Sequence, residues 1–166
     1  KEGEKYLGLF GLEGKVTIAD AELSNAVAAL KNGQIDGFVT AGSWPAPNVI
    51  EAAASTPVTV LSLSADQIAA TKRDALTIPA GTYSGQDAPI DTTSLPVVAY
   101  ATTAMNDDAA YAMTKTFWDM KAKMTETSPW WAGVDQALMA TITGKIHPGA
   151  ARYYREAGIA LTDAQM

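Results

Sequence analysis

Cysteine is missing altogether from the 166 residues, and histidine occurs once. The first absence excludes disulfides, iron–sulfur clusters, thiolate zinc sites and cysteine nucleophiles. The second leaves His147 without the partners that a metal site or a Ser–His–Asp triad requires. Basic residues are also few. Lys and Arg number 12 against 18 Asp and Glu, for a formal net charge of −6. A nucleic-acid binder, or a protein of anionic membrane surfaces, needs a clustered basic surface, and this balance argues against both. No apolar run approaches the ~18 residues of a membrane-spanning helix. Glycines are plentiful, yet none falls in a G-x-x-x-x-G-K-S/T phosphate loop, and Gly11 with Gly14 does not complete a dinucleotide fingerprint. The chain opens Lys1-Glu2-Gly3-Glu4 with neither initiator Met nor apolar leader, so it reads as a mature chain or a piece of a longer one.

What is there points to a folded α/β protein. Hydrophobic residues make up 48% and charged residues 18%, which argues against disorder. Leu7, Leu9 and Phe10 read as the end of a helix, closed near Gly11 or Gly14. Val16-Thr17-Ile18 is a short β-branched strand candidate. Ser24 is the predicted N-cap of a helix carrying Ala26, Val27 and Leu30, stopped by Asn32-Gly33. A strand over residues 35–40 should lead through Gly42-Ser43-Trp44-Pro45-Ala46-Pro47 into a helix over 48–54, followed by a strand over 58–63. Ser64 and Gln67 then form a capping box for a helix to about Lys72. Such alternation predicts a sheet with crossover helices.

The pattern changes after Thr77. Residues 82–89 are rich in turn formers and read as a long surface connection. Residues 95–103 are strand-like, but Pro96 places their start at an edge or a crossing point. From Asp107 onward the chain reads as helical, with Asp107 or Asp108 as the first cap. Ala110, Met113, Phe117, Met120 and Met124 lie on one apolar face. Pro129-Trp130-Trp131 breaks that helix, and a second is predicted over 134–142. A last one covers 148–156, with His147 as N-cap, Pro148 at its first position and Gly158 as terminator.

Few residues ask for chemistry. Asp107-Asp108 sits where a helix dipole favours acids, and Arg152 with Glu156 has the spacing of a surface pair. Trp130-Trp131 could form a sugar platform, but after Ser-Pro a loop packing on a core is the better reading. No cofactor, metal or catalytic group is expected. The Gly42–Pro47 loop stands out. It follows a predicted strand and enters a helix N-terminus, the edge at which open α/β sheets bind ligands. Amides and the positive dipole end there favour a carboxylate or phosphate. Ser43 would donate to it and Trp44 would wall the pocket; the alternative is a proline-rich turn with Trp44 half-buried.

Several segments, in order, resemble one family. They are Leu30-Lys31-Asn32-Gly33-Gln34-Ile35-Asp36-Gly37-Phe38, the Gly42–Pro47 loop, Ile78-Pro79-Ala80-Gly81-Thr82-Tyr83-Ser84-Gly85-Gln86, and His147-Pro148-Gly149-Ala150-Ala151-Arg152-Tyr153-Tyr154-Arg155-Glu156. Together they are similar to the C-terminal half of a TAXI-family solute-binding protein, the extracytoplasmic receptor of a TRAP transporter. The resemblance implies a type II periplasmic-binding-protein fold, α/β and two-lobed, of which this chain would be the C-terminal half. Residues 1–83 would belong to the second lobe, 84–103 to the crossing between lobes, and 104–166 to a helical segment returning to the first lobe. It implies no catalysis but capture of a small organic anion or amino acid, a dicarboxylate or glutamate-like compound, for membrane permease subunits driven by an ion gradient.

The ligand-binding candidates are Gly42, Ser43, Trp44 and Pro45, with Gly81, Thr82 and Tyr83 carried over from the Pro-Ala-Gly-Thr-Tyr match. Trp44 departs from the family pattern, in which a smaller or imidazole side chain often precedes the proline. The implied location is periplasmic; a stand-alone sensory or antigen module is the alternative from another class. On the same resemblance, the face of Met113, Phe117, Met120 and Met124 would have its native partner outside this chain. Association with a missing N-terminal half or a swapped copy is therefore expected.

Overall fold

The structure, a computed structural model, describes residues 2–19 and 22–166. It divides into two compact units, one up to Leu95 and one from Pro96. That boundary lies inside the stretch 84–103 expected to be a connection.

Among its described residues the first unit holds four helices, α1 (Glu2–Leu9), α2 (Leu23–Lys31), α3 (Pro47–Ser55) and α4 (Ala65–Thr71), and two strands, β1 (Asp74–Ile78) and β2 (Ile90–Ser94). Local signals set most helix ends. Gly11 and Gly14 take positive φ after α1, and Gly33 does so after α2. Ser64 Oγ accepts from the Gln67 N–H at 3.2 Å while Gln67 Oε1 accepts from the Ser64 N–H at 2.8 Å, so the capping box of α4 is complete. Ser24 is not a cap: α2 begins at Leu23, with Glu22 at the N-cap position and no side-chain bond there. Helix α1 is held to the sheet by polar contacts. Tyr6 Oη and Thr93 Oγ1 share a hydrogen bond of 2.6 Å, and Arg73 donates to Tyr6 Oη at 3.2 Å and pairs with Glu2 at 2.8 Å.

The strands differ from the expectation. Among the described residues, 16–18, 35–40, 58–63 and 95–103 form no strand. The sheet is an antiparallel pair, Asp74 opposite Ser94 through Ile78 opposite Ile90, rather than a parallel set with crossovers. A β-branched run becomes a strand only when a neighbour offers a ladder of N–H and C=O groups. Residues 58–63 meet one only at their end, where the Leu63 N–H donates to Asp91 O at 2.8 Å. The polar, hydroxyl-rich β2 is therefore a strand because β1 lies beside it, not because of its own pattern. The core of this unit gathers Ala46, Val49, Ile78, Tyr83 and Ile90, with Phe38, Trp44, Ala53 and Val60 packed on it.

The second unit is built on α5 (Asp107–Thr127) and α6 (Pro148–Glu156), with 3-10 turns at Pro129–Gly133, Gln136–Thr141 and Asp163–Gln165. Asn106, not either aspartate, caps α5: its Oδ1 accepts from the Ala109 N–H at 2.8 Å. The expected helix over 134–142 is the shorter 3-10 turn, started by Asp135 Oδ1 accepting from the Ala137 N–H. Gln165, buried, donates through Nε2 to the carbonyls of Met139 and Ile142, both at 2.7 Å, and so fastens the last turn of the chain.

Of the expected apolar face of α5, Ala110 is covered while Met113, Phe117 and Met120 stay open. Ala110, 4% exposed, faces inward, and Trp118 meets Tyr154 of α6, donating from Nε1 to Tyr154 Oη at 3.2 Å. Met113, Phe117 and Met120 are 55%, 44% and 43% exposed. The aromatic side chains of α6 select the face that carries rings and hydrogen-bonding groups: Tyr111 packs edge-on to Tyr153, and Arg152 lies 4.3 Å over the Tyr111 ring. Phe117 instead meets Trp131, which stacks on Trp130 with ring centroids 4.5 Å apart. No helix among the described residues is long and apolar enough to cross a membrane.

Candidate functional site

The loop before α3 is positioned from both sides. Asn48 Nδ2 donates to Thr40 Oγ1 at 3.0 Å, which ties the entering segment to the helix start. Pro47 occupies the first helical position, where its missing N–H costs nothing. The Trp44–Pro45 peptide bond is cis. Trp44 and Pro45 are half-buried, and Trp44 rests against the core cluster. Gly42 is exposed, with open space where a Cβ would stand.

The second candidate segment arrives in the hairpin loop between β1 and β2. Gly81 adopts a φ of +77°, which favours glycine, and its N–H donates to Gln86 O at 2.8 Å. Thr82 turns its hydroxyl back on the Pro79 carbonyl at 2.7 Å. Tyr83 is 5% exposed, and its Oη accepts from the Ala46 N–H at 3.0 Å. That bond, between residues 37 apart in sequence, brings the two predicted segments together. Sequence reasoning missed both Ala46 and Gln86. The Gln86 carboxamide accepts from the Tyr83 N–H at 3.1 Å and donates to the carbonyls of Pro79 and Ala88 at 3.0 and 2.8 Å. The signal available was a lone glutamine closing a run of turn formers.

These contacts limit what the loop offers. Proline supplies no amide at the first position of α3, the Ala46 N–H serves Tyr83, and the Val49 N–H serves Asn48 Oδ1 and Ala46 O. No Lys or Arg occurs in residues 32–71 or 74–114. A carboxylate held by these segments would therefore meet hydroxyls and backbone dipoles, not a cation of their own.

At His147 the structure agrees with the capping role. Nδ1 accepts from the Gly149 N–H at 3.2 Å, which leaves Nε2–H to donate to Met105 O at 3.0 Å. Asp107 Oδ1 lies 3.8 Å from Nδ1. Among the described residues no group of three or more His, Asp or Glu is placed to hold a metal ion.

The model of the NMT1-like family matches residues 3–158, nearly the whole of both units. The chain belongs to the NMT1-like family. This is a periplasmic-binding-protein-like family, so the chain takes its place among solute-binding proteins, a class that is typically extracytoplasmic. The match runs through both candidate segments and ends at Gly158, whose φ of +77° follows α6. For an NMT1-like chain the relevant chemistry is capture of a small molecule, and the joined loops at Ala46 and Tyr83 are the candidate place for it.

Proposed function

We propose that this NMT1-like chain is part of the receptor of a TRAP-type secondary transporter of the TAXI kind. It would capture a small organic anion or amino acid, a dicarboxylate or a glutamate-like compound, and hand it to the membrane permease without catalysis. The observation that carries this reading is the Tyr83–Ala46 hydrogen bond, because it unites the two loops whose sequences resemble that receptor family. Gly42, Ser43, Trp44 and Pro45 would form one wall, with Gly81 and Thr82 beside them. The Tyr83 hydroxyl contributes by holding the wall in place, its accepting side being committed to Ala46.

Calorimetry of this chain with L-glutamate and with succinate, at low and high salt, tests the proposal. Binding with little salt dependence is expected, since no local cation takes part. Gly42→Ala fills open space without backbone strain, so it should leave the melting temperature unchanged while lowering affinity. Affinity for neither compound, or an undiminished affinity in Gly42→Ala, would count against the assignment.

A further inference from the structure

The hairpin loop between β1 and β2 contains one side chain that makes three hydrogen bonds, all to backbone. Gln86 satisfies one N–H, from Tyr83, and two carbonyls, of Pro79 and Ala88. A carboxamide is the group with one acceptor oxygen and two donor hydrogens on a planar frame. A carboxylate of the same shape would present only acceptors to those two carbonyls. The loop spans 79–89 between the paired Ile78 and Ile90, and its backbone bonds, Gly81 N–H to Gln86 O and Gln86 N–H to Tyr83 O, close it around the same residue.

Tyr83 is the only residue of this loop in the core cluster, and its hydroxyl is bonded to the backbone N–H of Ala46, the N-cap of α3. We infer that Gln86 is a positioning residue for the 42–46 loop, acting through Tyr83: the carboxamide fixes the Tyr83 backbone, and the Tyr83 hydroxyl fixes the residue at which the loop ends. This rests on the receptor reading for its ligand, but the mechanical link is independent of it. Gln86 itself touches neither the loop nor, on this account, the ligand.

The test is amide hydrogen exchange and calorimetry on the whole chain carrying Gln86→Glu, with Tyr83→Phe as the variant that cuts the second link directly. Tyr83→Phe should lower protection of the Ala46 amide about tenfold, the effect of one lost buried hydrogen bond. Gln86→Glu should lower it in the same direction at neutral pH, while the amides of the β1–β2 ladder keep their protection. Protonating the introduced glutamate restores one donor, so partial recovery is expected at acid pH. With L-glutamate as probe, both variants should bind more weakly than wild type. Equal loss at Ala46 and along the ladder would mean that Gln86 merely holds the hairpin, and would overturn the inference, as would unchanged Ala46 protection. Wild-type chain that binds no L-glutamate tells against the receptor reading for that ligand; the Ala46 result still decides the link.

Discussion

Replacing Gly149 by alanine is expected to loosen α6 from α5. A Cβ at this position would fall on the carbonyl oxygen of Asp107 and stand 2.8 Å from its carbonyl carbon and 2.9 Å from its Cα. All three are backbone atoms, so no rotamer change relieves the clash and the helices must separate. Overpacking of this kind costs about 1–3 kcal/mol. Separation also strains the His147–Met105 bond, worth about 1 kcal/mol, whereas the exposed Arg152–Asp108 pair at 2.9 Å adds little. Against this, alanine is favoured over glycine inside a helix by roughly 0.8–1 kcal/mol. The balance is a destabilisation on the order of 2 kcal/mol, enough to lower the melting temperature of a small unit by roughly 8–15 °C. Near-ultraviolet circular dichroism during urea and thermal unfolding would follow it, since Trp118, Trp130 and Trp131 lie in this unit. Gly144→Ala is the control, with open space at the Cβ and an expected change within about 0.5 kcal/mol. A Gly149→Ala chain as stable as wild type would refute the close approach of the two helices.

Other expectations rest on single contacts. Tyr83→Phe leaves the buried Ala46 N–H without its acceptor and should cost about 1–3 kcal/mol, read from the urea midpoint at unchanged slope. His147→Ala removes the cap of α6 for about 1 kcal/mol, and His147→Asn should recover the cap but not the bond to Met105. The pKa of Tyr154 is raised above the ordinary 10.0 by burial, against a smaller lowering from the Trp118 hydrogen bond. A raised tyrosine binds its proton more tightly in the folded state, so its contribution is complete below about pH 10 and is lost as pH rises from there through the folded-state value. Alkaline unfolding followed in wild type and Tyr154→Phe should show that loss shrink in the variant; identical profiles would dismiss it.

Much of the local structure was legible in the sequence alone. The Ser64–Gln67 box, the Asn32-Gly33 stop, the turn at Gly11 to Gly14 and the His147-Pro148 start of α6 all appear as read. Each is a hydrogen bond or a φ angle settled within about four residues, so the information sits where the effect does. The Gly42–Pro45 and Gly81–Tyr83 segments were legible as candidates because their motifs are contiguous. Only the tertiary structure decided that they meet, through a bond between Tyr83 and Ala46 that no local pattern encodes. The strands follow the same rule. Val16-Thr17-Ile18 has the better strand composition, yet Ile90-Asp91-Thr92-Thr93-Ser94 is the strand, because only the latter lies against a partner. On α5 the spacing of Ala110, Met113, Phe117, Met120 and Met124 described a helix correctly. Of that face, however, Ala110 is buried while Met113, Phe117 and Met120 stay exposed, because Tyr153 and Tyr154 of α6 meet Tyr111 and Trp118. A periodic sequence fixes that a helix has an apolar side; which side is buried depends on the shape and hydrogen-bonding groups of whatever lies against it.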